Sequence, residues 1–193
     1  MRGFSRCGDG VWELVMKVKN WKQTFHYDSP HWTSQASYVS AEKEGAFKLP
    51  GYWLRNFTRI CVIMNFGANP SINHTAIVVD YIGQSLYSVM NKGIQKTWPE
   101  DMSSITTPIN IDKSCLEKGL NMHGSSPWMI KSRVGVASRP KKCALPYMVR
   151  GVGIGSLQRP NMNCGEIIIS YKDNPTQNYS IQSFPAFCKI YIQ

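Results

Sequence analysis

Cysteine is the residue type in this chain whose spacing is most informative about chemistry. No two of the six cysteines have the Cys-x-x-Cys spacing of a zinc ribbon or a thioredoxin-type redox site. An even number at long spacing is typical of two or three disulfides formed in an oxidising compartment. The spacing leaves the pairing open. The disulfide candidates are Cys7, Cys61, Cys115, Cys143, Cys164 and Cys188.

Patterns of catalysis and of cofactor binding are absent from the sequence. It contains no Gly-x-Ser-x-Gly elbow, no Walker loop and no His-Glu-x-x-His motif. The segment Gly151-Val-Gly-Ile-Gly-Ser lacks the third glycine of a dinucleotide loop, and Arg159-Pro160 follows where a helix should run. It therefore predicts a turn. We expect a binding protein and not an enzyme.

The net charge of +10 predicts an attraction to polyanions, among them nucleic acids, sulfated glycans, acidic matrix proteins and anionic membranes. A dedicated basic patch and an evenly basic surface both fit this charge. A basic nucleic-acid-binding protein is the alternative function, although no nucleic-acid-binding motif is present. The cations are spread along the chain, for example Lys17, Lys19, Lys22, Arg55, Arg59, Lys92, Lys96, Arg139, Lys141 and Lys142.

Three N-glycosylation sequons, beginning at Asn56, Asn73 and Asn178, agree with a secreted glycoprotein. The first residues, Met1-Arg-Gly-Phe-Ser-Arg, contain no apolar stretch of signal-peptide length. No later run approaches the ~20 apolar residues of a membrane span. We expect a secreted, extracellular protein whose natural N-terminal region is missing from this sequence.

The 193 residues fit one domain, 1–193, whose first half is predicted to form short strands. Strands are expected over 11–18, 60–66 and 75–82. The segment 86–90 favours the start of a short helix, with a strand as the alternative. Residues 99–133 and 138–165 are richer in loop-forming residues, apart from a strand beginning at Arg133. Two further core strands are expected, one from Glu166 and one from Phe187 to the end.

Short motifs in a preserved order resemble a fibrinogen-related domain from residue 7 to the end of the chain. The opening segment Cys7-Gly-Asp-Gly-Val-Trp-Glu-Leu-Val is one of them, and Lys48-Leu-Pro-Gly-Tyr-Trp is another. Ser85-Leu-Tyr-Ser-Val-Met-Asn-Lys-Gly, Cys115-Leu-Glu-Lys-Gly-Leu-Asn and Asn163-Cys-Gly follow in the same order. The subgroup most similar to this chain contains intelectin-like proteins and the uncharacterised skeletal organic matrix proteins of stony corals.

This resemblance implies an α+β fold like the fibrinogen C-terminal domain. Such a fold has a twisted, mainly antiparallel sheet, short helices and long disulfide-tethered loops. It also implies an extracellular, lectin-like partner range of glycans or acidic matrix proteins, with biomineralisation as one setting, and is compatible with an oligomer. Trp12 and Trp53 stand at structural positions of the relatives, and we expect both in the core.

The resemblance also implies a calcium site, which this sequence alters. Relatives have an acidic, Asn-rich stretch before the cysteine that Cys143 matches, and here Lys141 and Lys142 occupy it. Calcium takes six to eight oxygen ligands, so lysines oppose Ca²⁺ binding. Asp173 and Asn174 match a family Asp-Asn pair, and a weakened calcium site is the alternative.

Two versions of the ligand site follow. In the first, a lectin site uses Trp128, Tyr147 and the loops of 138–165. In the second, cations of the same region form a basic patch for sulfated glycans or acidic matrix proteins. The patch residues are Arg139, Lys141, Lys142, Arg150 and Arg159. The same cations standing apart on a loop would make no site.

Overall fold

The structure is a computed structural model that describes residues 6–19, 23–67, 75–92, 95–97, 116–123, 131–138, 148–155, 163–171 and 179–193. These residues form two antiparallel sheets of six strands each. Sheet A contains, in spatial order, β2 (Tyr38–Val39), β3 (Phe47–Lys48), β1 (Glu13–Val18), β12 (Phe187–Ile192), β4 (Phe57–Asn65) and β5 (Thr75–Gly83). Sheet B contains β11 (Tyr179–Pro185), β10 (Cys164–Tyr171), β9 (Met148–Ile154), β8 (Lys131–Ser138), β7 (Leu116–His123) and β6 (Gln95–Thr97).

Two short helices accompany the sheets, α1 (Gly51–Leu54) and α2 (Leu86–Met90). The second forms where the sequence predicts it, because Ser85 caps its first turn. The Ser85 hydroxyl accepts a hydrogen bond from the Ser88 amide at 3.1 Å, and the Ser88 side chain accepts one from the Ser85 amide. Two 3₁₀ turns, Gln23–Phe25 and Pro30–Thr33, precede β2.

One hydrophobic core lies between the two sheets. Sheet A contributes alternate residues such as Val62 and Ile190, and sheet B contributes residues such as Val134 and Val152. The disulfide between Cys164 on β10 and Cys188 on β12 links the sheets within this core. Closing a loop of this sequence separation, 24 residues, contributes about 3 kcal/mol in the chain-entropy account.

A row of glycines crosses four neighbouring strands of sheet B. Gly119 stands opposite Gly135, Gly135 opposite Gly153, and Gly153 opposite Gly165. A Cβ at Gly153, where φ is +155°, would collide with the Val134 carbonyl oxygen. The glycines therefore let adjacent backbones approach closely. The turn predicted for the segment from Gly151 is wrong, because this stretch is the greater part of β9.

The predicted mainly antiparallel, β-rich architecture with short helices is confirmed. The strands predicted over 60–66 and 75–82 correspond to β4 and β5. The prediction of little regular structure over 99–133 is wrong for β7, an interior strand of sheet B. The similarity to the fibrinogen fold stays a prediction.

Tryptophan burial differs from the expectation. Trp12 and Trp53 pack against core clusters but are only partly buried. Among the described tryptophans, Trp32 is the fully buried one, and it lies in a segment rich in turn-forming residues. Its indole donates a hydrogen bond to the His26 carbonyl at 2.8 Å, which satisfies the polar atom of a buried ring.

Candidate functional site

The basic loop predicted as a ligand site lies largely outside the described residues. The predicted calcium ligands, two of the sequons and two of the cysteines also lie outside them. Arg150 belongs to β9, but its side chain is not among the described ones. The remaining ligand candidates outside the described residues are Arg139, Lys141, Lys142, Arg159, Trp128 and Tyr147. The predicted calcium ligands Asp173 and Asn174, two of the sequons (Asn73 and Asn178) and Cys115 and Cys143 also lie outside. These assignments stay predictions.

A cleft of about 290 Å³ opens on the outer face of sheet A, away from the core. Strands β1, β12 and β4 are adjacent there, and each sends alternate side chains outward. We call this the outer-face cleft. Its lining residues are Arg6, Lys17, Ile63, Asn65, Phe187, Cys188, Lys189 and Tyr191.

Strand register places two lysines side by side in the outer-face cleft. Lys17 on β1 stands directly opposite Lys189 on β12, and Lys189 stands opposite Ile63 on β4. Like charges directly opposite in an antiparallel pair are destabilising. The pairing therefore brings together two cations that repel each other, beside a third cation, Arg6.

The described lining of the outer-face cleft includes three cations and no carboxylate. Among the described residues, three carboxylates of sheet A and its connections pair with other cations. These ion pairs are Lys19–Glu42 at 3.4 Å, Arg55–Glu13 at 3.2 Å and Arg59–Asp80 at 3.2 Å. Among the described residues, no carboxylate forms an ion pair with a cation of the cleft.

Apolar surface lies beside these charges. Phe187 is half exposed, with 48% of its surface accessible, and Ile63 on β4, which stands opposite Lys189, is partly buried. Tyr191 is buried, and this burial raises the pKa of its hydroxyl. The tyrosine therefore stays protonated at neutral pH. The cleft can contact an anion and an apolar ring face together.

The segment 6–12 lies over the same face and is fixed to it by a second disulfide. Cys7 is bonded to Cys61 on β4, and both are buried. Arg59 donates a hydrogen bond to the Cys7 carbonyl at 3.5 Å and stacks over the Trp12 ring at 5.2 Å. The Gln193 amide donates to the Asp9 carbonyl at 3.1 Å. We call residues 6–12 the N-terminal arm.

Lys48 is a second unusual cation, buried at the end of β3. Its Nζ donates hydrogen bonds to the carbonyls of His31 at 2.6 Å and Ser34 at 2.7 Å. The rings of Tyr52 and Trp53 lie 5.1 and 5.8 Å away. Burial lowers the pKa of Lys48 to about 8. The side chain is fully enclosed, so it holds the 3₁₀ segment against the sheet and presents no accessible amine.

Arg133 on β8 is a third cation, and it has several partners within the chain. Its Nε donates to the Tyr27 carbonyl at 2.7 Å, and its Nη1 donates to the Met90 carbonyl at 3.1 Å and to Asn121 Oδ1 at 2.8 Å. Its guanidinium also lies 4.4 Å from the centre of the Tyr27 ring. Arg133 connects sheet B to the end of α2 and is structural.

Sequence reasoning did not find the outer-face cleft. Lys17 and Lys189 each sit between apolar residues, Met16 and Val18 for the first, Cys188 and Ile190 for the second. That alternation predicts that both lysines point away from the core. The missing information was the pairing of β1 with β12, because these strands lie at opposite ends of the sequence.

Among the described residues no three His, Cys, Asp or Glu side chains stand close enough to hold a metal ion. None of the described helices is long and apolar enough to cross a membrane.

Asn56, the acceptor of the first sequon, is exposed just before β4. The prediction that cysteines of this chain form disulfides is confirmed by two bonds, Cys7–Cys61 and Cys164–Cys188.

No protein-family model matches the chain, and comparisons with curated proteins and with solved structures found no match.

Proposed function

We propose that this chain is an extracellular, non-enzymatic binding domain for anionic glycans, and that the outer-face cleft is its binding site. The observation that carries the proposal is the register pairing of Lys17 with Lys189, beside Arg6, in a cleft whose described lining contains no carboxylate. Sulfated glycans are the ligand class that fits best, since they combine anionic groups with sugar rings.

The energetics of the lysine pair favour a bound anion. Two like charges facing each other cost stability in the unliganded protein. An anion placed between them replaces repulsion by two attractions, in a cleft whose apolar walls strengthen charge interactions relative to open water. The repulsion between Lys17 and Lys189 destabilises the ligand-free protein, and a bound anion would remove this destabilisation.

The shape and lining of the cleft favour a sugar over a folded partner. Its volume of about 290 Å³ is near the lower end of ligand pockets, roughly 300–1,000 Å³. That size suits a short part of a polymer and not a protein surface. The exposed Phe187 ring offers a flat apolar surface against which a sugar ring can pack.

Several further features support the extracellular part of the proposal. Two disulfides are typical of an oxidising compartment, and an exposed sequon at Asn56 is compatible with glycosylation. The resemblance to fibrinogen-related domains is in keeping with an extracellular binding role. The net charge of +10 would attract polyanions over a distance, and the cleft would give them a defined contact.

Heparin-affinity chromatography tests the proposal. The site variant is Lys17→Glu/Lys189→Glu. Its control is Lys43→Glu/Lys92→Glu, which changes net charge equally at two exposed lysines outside the cleft. We expect the site variant to bind roughly 10-fold or more weakly than the control, because each exposed contact is worth up to ~1 kcal/mol and is here reversed.

Two results would overturn this function. Equal elution of the site variant and its control would show that heparin is held by overall charge alone. The second result is that the wild-type protein binds single-stranded DNA more tightly than heparin or dextran sulfate, and that the site variant loses this DNA binding. It would favour nucleic-acid binding as the function of the cleft.

A further inference from the structure

The disulfide Cys7–Cys61 joins the N-terminal arm to the sheet at the wall of the outer-face cleft. We infer that this disulfide is a positioning device for the ligand site. It holds Arg6 as the third cation of the cleft, so that the affinity for an anionic glycan depends on where the arm is attached. This inference rests on the proposed function and adds a determinant of its affinity.

Register places the anchor next to the cleft. Cys61 on β4 stands directly opposite Tyr191 on β12, and Tyr191 lines the cleft. Cys7 and Cys61 are 1% and 0% exposed, packed with Tyr191 in a small cluster on the outer face. Arg6 directly precedes Cys7, so the disulfide to Cys61 restricts the position of the Arg6 backbone.

Arg6 has no partner of its own among the described residues. It makes no ion pair or hydrogen bond with them, in contrast to Arg59, which contacts Asp80, Gln193 and the Cys7 carbonyl. Nothing in the described chain therefore fixes the Arg6 side chain except its attachment to Cys7 and the shape of the cleft. Its guanidinium is available to an incoming anion.

The non-covalent contacts of the arm are weak substitutes for the disulfide. Two hydrogen bonds join the arm to the rest of the chain, from Arg59 to the Cys7 carbonyl at 3.5 Å and from the Gln193 side chain to the Asp9 carbonyl at 3.1 Å, and Arg59 also stacks over the Trp12 ring. Both hydrogen bonds are partly or fully exposed to water, where hydrogen bonds contribute little net stability. Without the covalent link, the arm would leave the sheet surface for part of the time, and Arg6 with it.

The first test is a set of four proteins: wild type, Arg6→Ala, Cys7→Ser/Cys61→Ser, and the three substitutions combined. With the disulfide present, Arg6→Ala should weaken heparin binding about 2- to 5-fold, the size of one exposed ionic contact. It should also lower the slope of log affinity against log salt by about 1, as expected when one cation–anion contact is lost. Without the disulfide, the Arg6→Ala substitution should have no effect on either quantity.

Arg6→Lys serves as the conservative control and should keep most of the affinity. If Arg6→Ala weakens binding by the same factor in both backgrounds, the positioning role of the disulfide is refuted. If wild type itself does not bind heparin, the proposed function fails and this inference fails with it. These two failures are distinguishable because only the first leaves wild-type binding intact.

A second variant avoids any loss of stability caused by removing a disulfide. Inserting Gly-Ser between Arg6 and Cys7 keeps both cysteines bonded but moves Arg6 away from its anchor. We expect this insertion to weaken heparin binding as much as Arg6→Ala does, with an unchanged melting temperature. Full wild-type affinity in the insertion variant would overturn the inference.

Discussion

Two groups of cations in this protein differ in what surrounds them. Lys48 is enclosed by the fold and Arg133 is partly buried, and among the described residues both contact backbone carbonyls, an amide oxygen or aromatic rings of the same chain. Lys17 and Lys189 face each other in an open cleft, and no described carboxylate pairs with them. The comparison separates cations that serve the fold from cations that are available to a ligand.

The difference shows that burial alone is a poor guide to function here. A buried lysine with a lowered pKa is a common sign of a catalytic amine. Lys48 has both properties, yet it is fully enclosed and both its hydrogen-bond acceptors are main-chain carbonyls. The cleft lysines stand opposite each other on neighbouring strands, and no described carboxylate forms an ion pair with either of them. In this molecule the unsatisfied charge is the stronger indication of a ligand site.

The largest effect that tests this comparison is expected at Arg133. Arg133→Met should lower the free energy of unfolding by about 2–4 kcal/mol, because hydrogen bonds from a charged donor are lost and their acceptors are left buried. The matched control is Lys131→Met on the same strand, whose cation contacts the same Tyr27 ring. It should cost under about 1 kcal/mol. Urea denaturation measures both.

Heparin affinity of the Arg133→Met variant tests whether this cation also contributes to ligand binding. Arg133→Met should leave heparin binding unchanged when the protein is measured well below its melting temperature. A loss of affinity as large as that of the cleft variant would break the distinction between structural and ligand-binding cations.

The next effect concerns Lys48 and pH. Its pKa is about 8 in the folded protein and 10.5 in the unfolded chain, so the unfolded state binds more protons between these values. Stability contributed at this position should therefore rise with pH from about 8 to 10.5. The full rise would be about 3 kcal/mol, since one pKa unit corresponds to about 1.4 kcal/mol.

Comparison with Lys48→Met removes the contribution of other titrating groups. The free energy of unfolding of wild type minus that of the variant should increase from pH 7 to pH 10.5. Lys92→Met, at an exposed lysine outside the cleft, is the control for removing a lysine. If this difference in the free energy of unfolding does not change with pH, the buried charge of Lys48 does not destabilise the folded protein. That result would contradict the description of Lys48 as an enclosed cation.

Local patterns predicted the parts of the fold that depend on neighbours in sequence. The apolar run in β4 and the serine before α2 are both visible in the residues themselves. The burial of Lys48 and Trp32 was not predictable in this way, because each depends on packing between distant segments. The lysine pair of the cleft needed the register of β1 against β12, for which no local signal exists.

The smallest expected effect is the repulsion between Lys17 and Lys189, and it bears most directly on the ligand site. A double-mutant cycle with Lys17→Gln and Lys189→Gln cancels the intrinsic effect of each substitution and leaves the interaction of the pair. We expect a repulsive coupling of about 0.2–1 kcal/mol at low salt. It should vanish near 1 M NaCl, where the screening length is ~3 Å. Saturating dextran sulfate should stabilise wild type more than either single variant, because the ligand binds the folded site. A favourable or salt-independent coupling would mean that the two ammonium groups do not oppose each other, and the main physical reason for placing an anion between them would be lost.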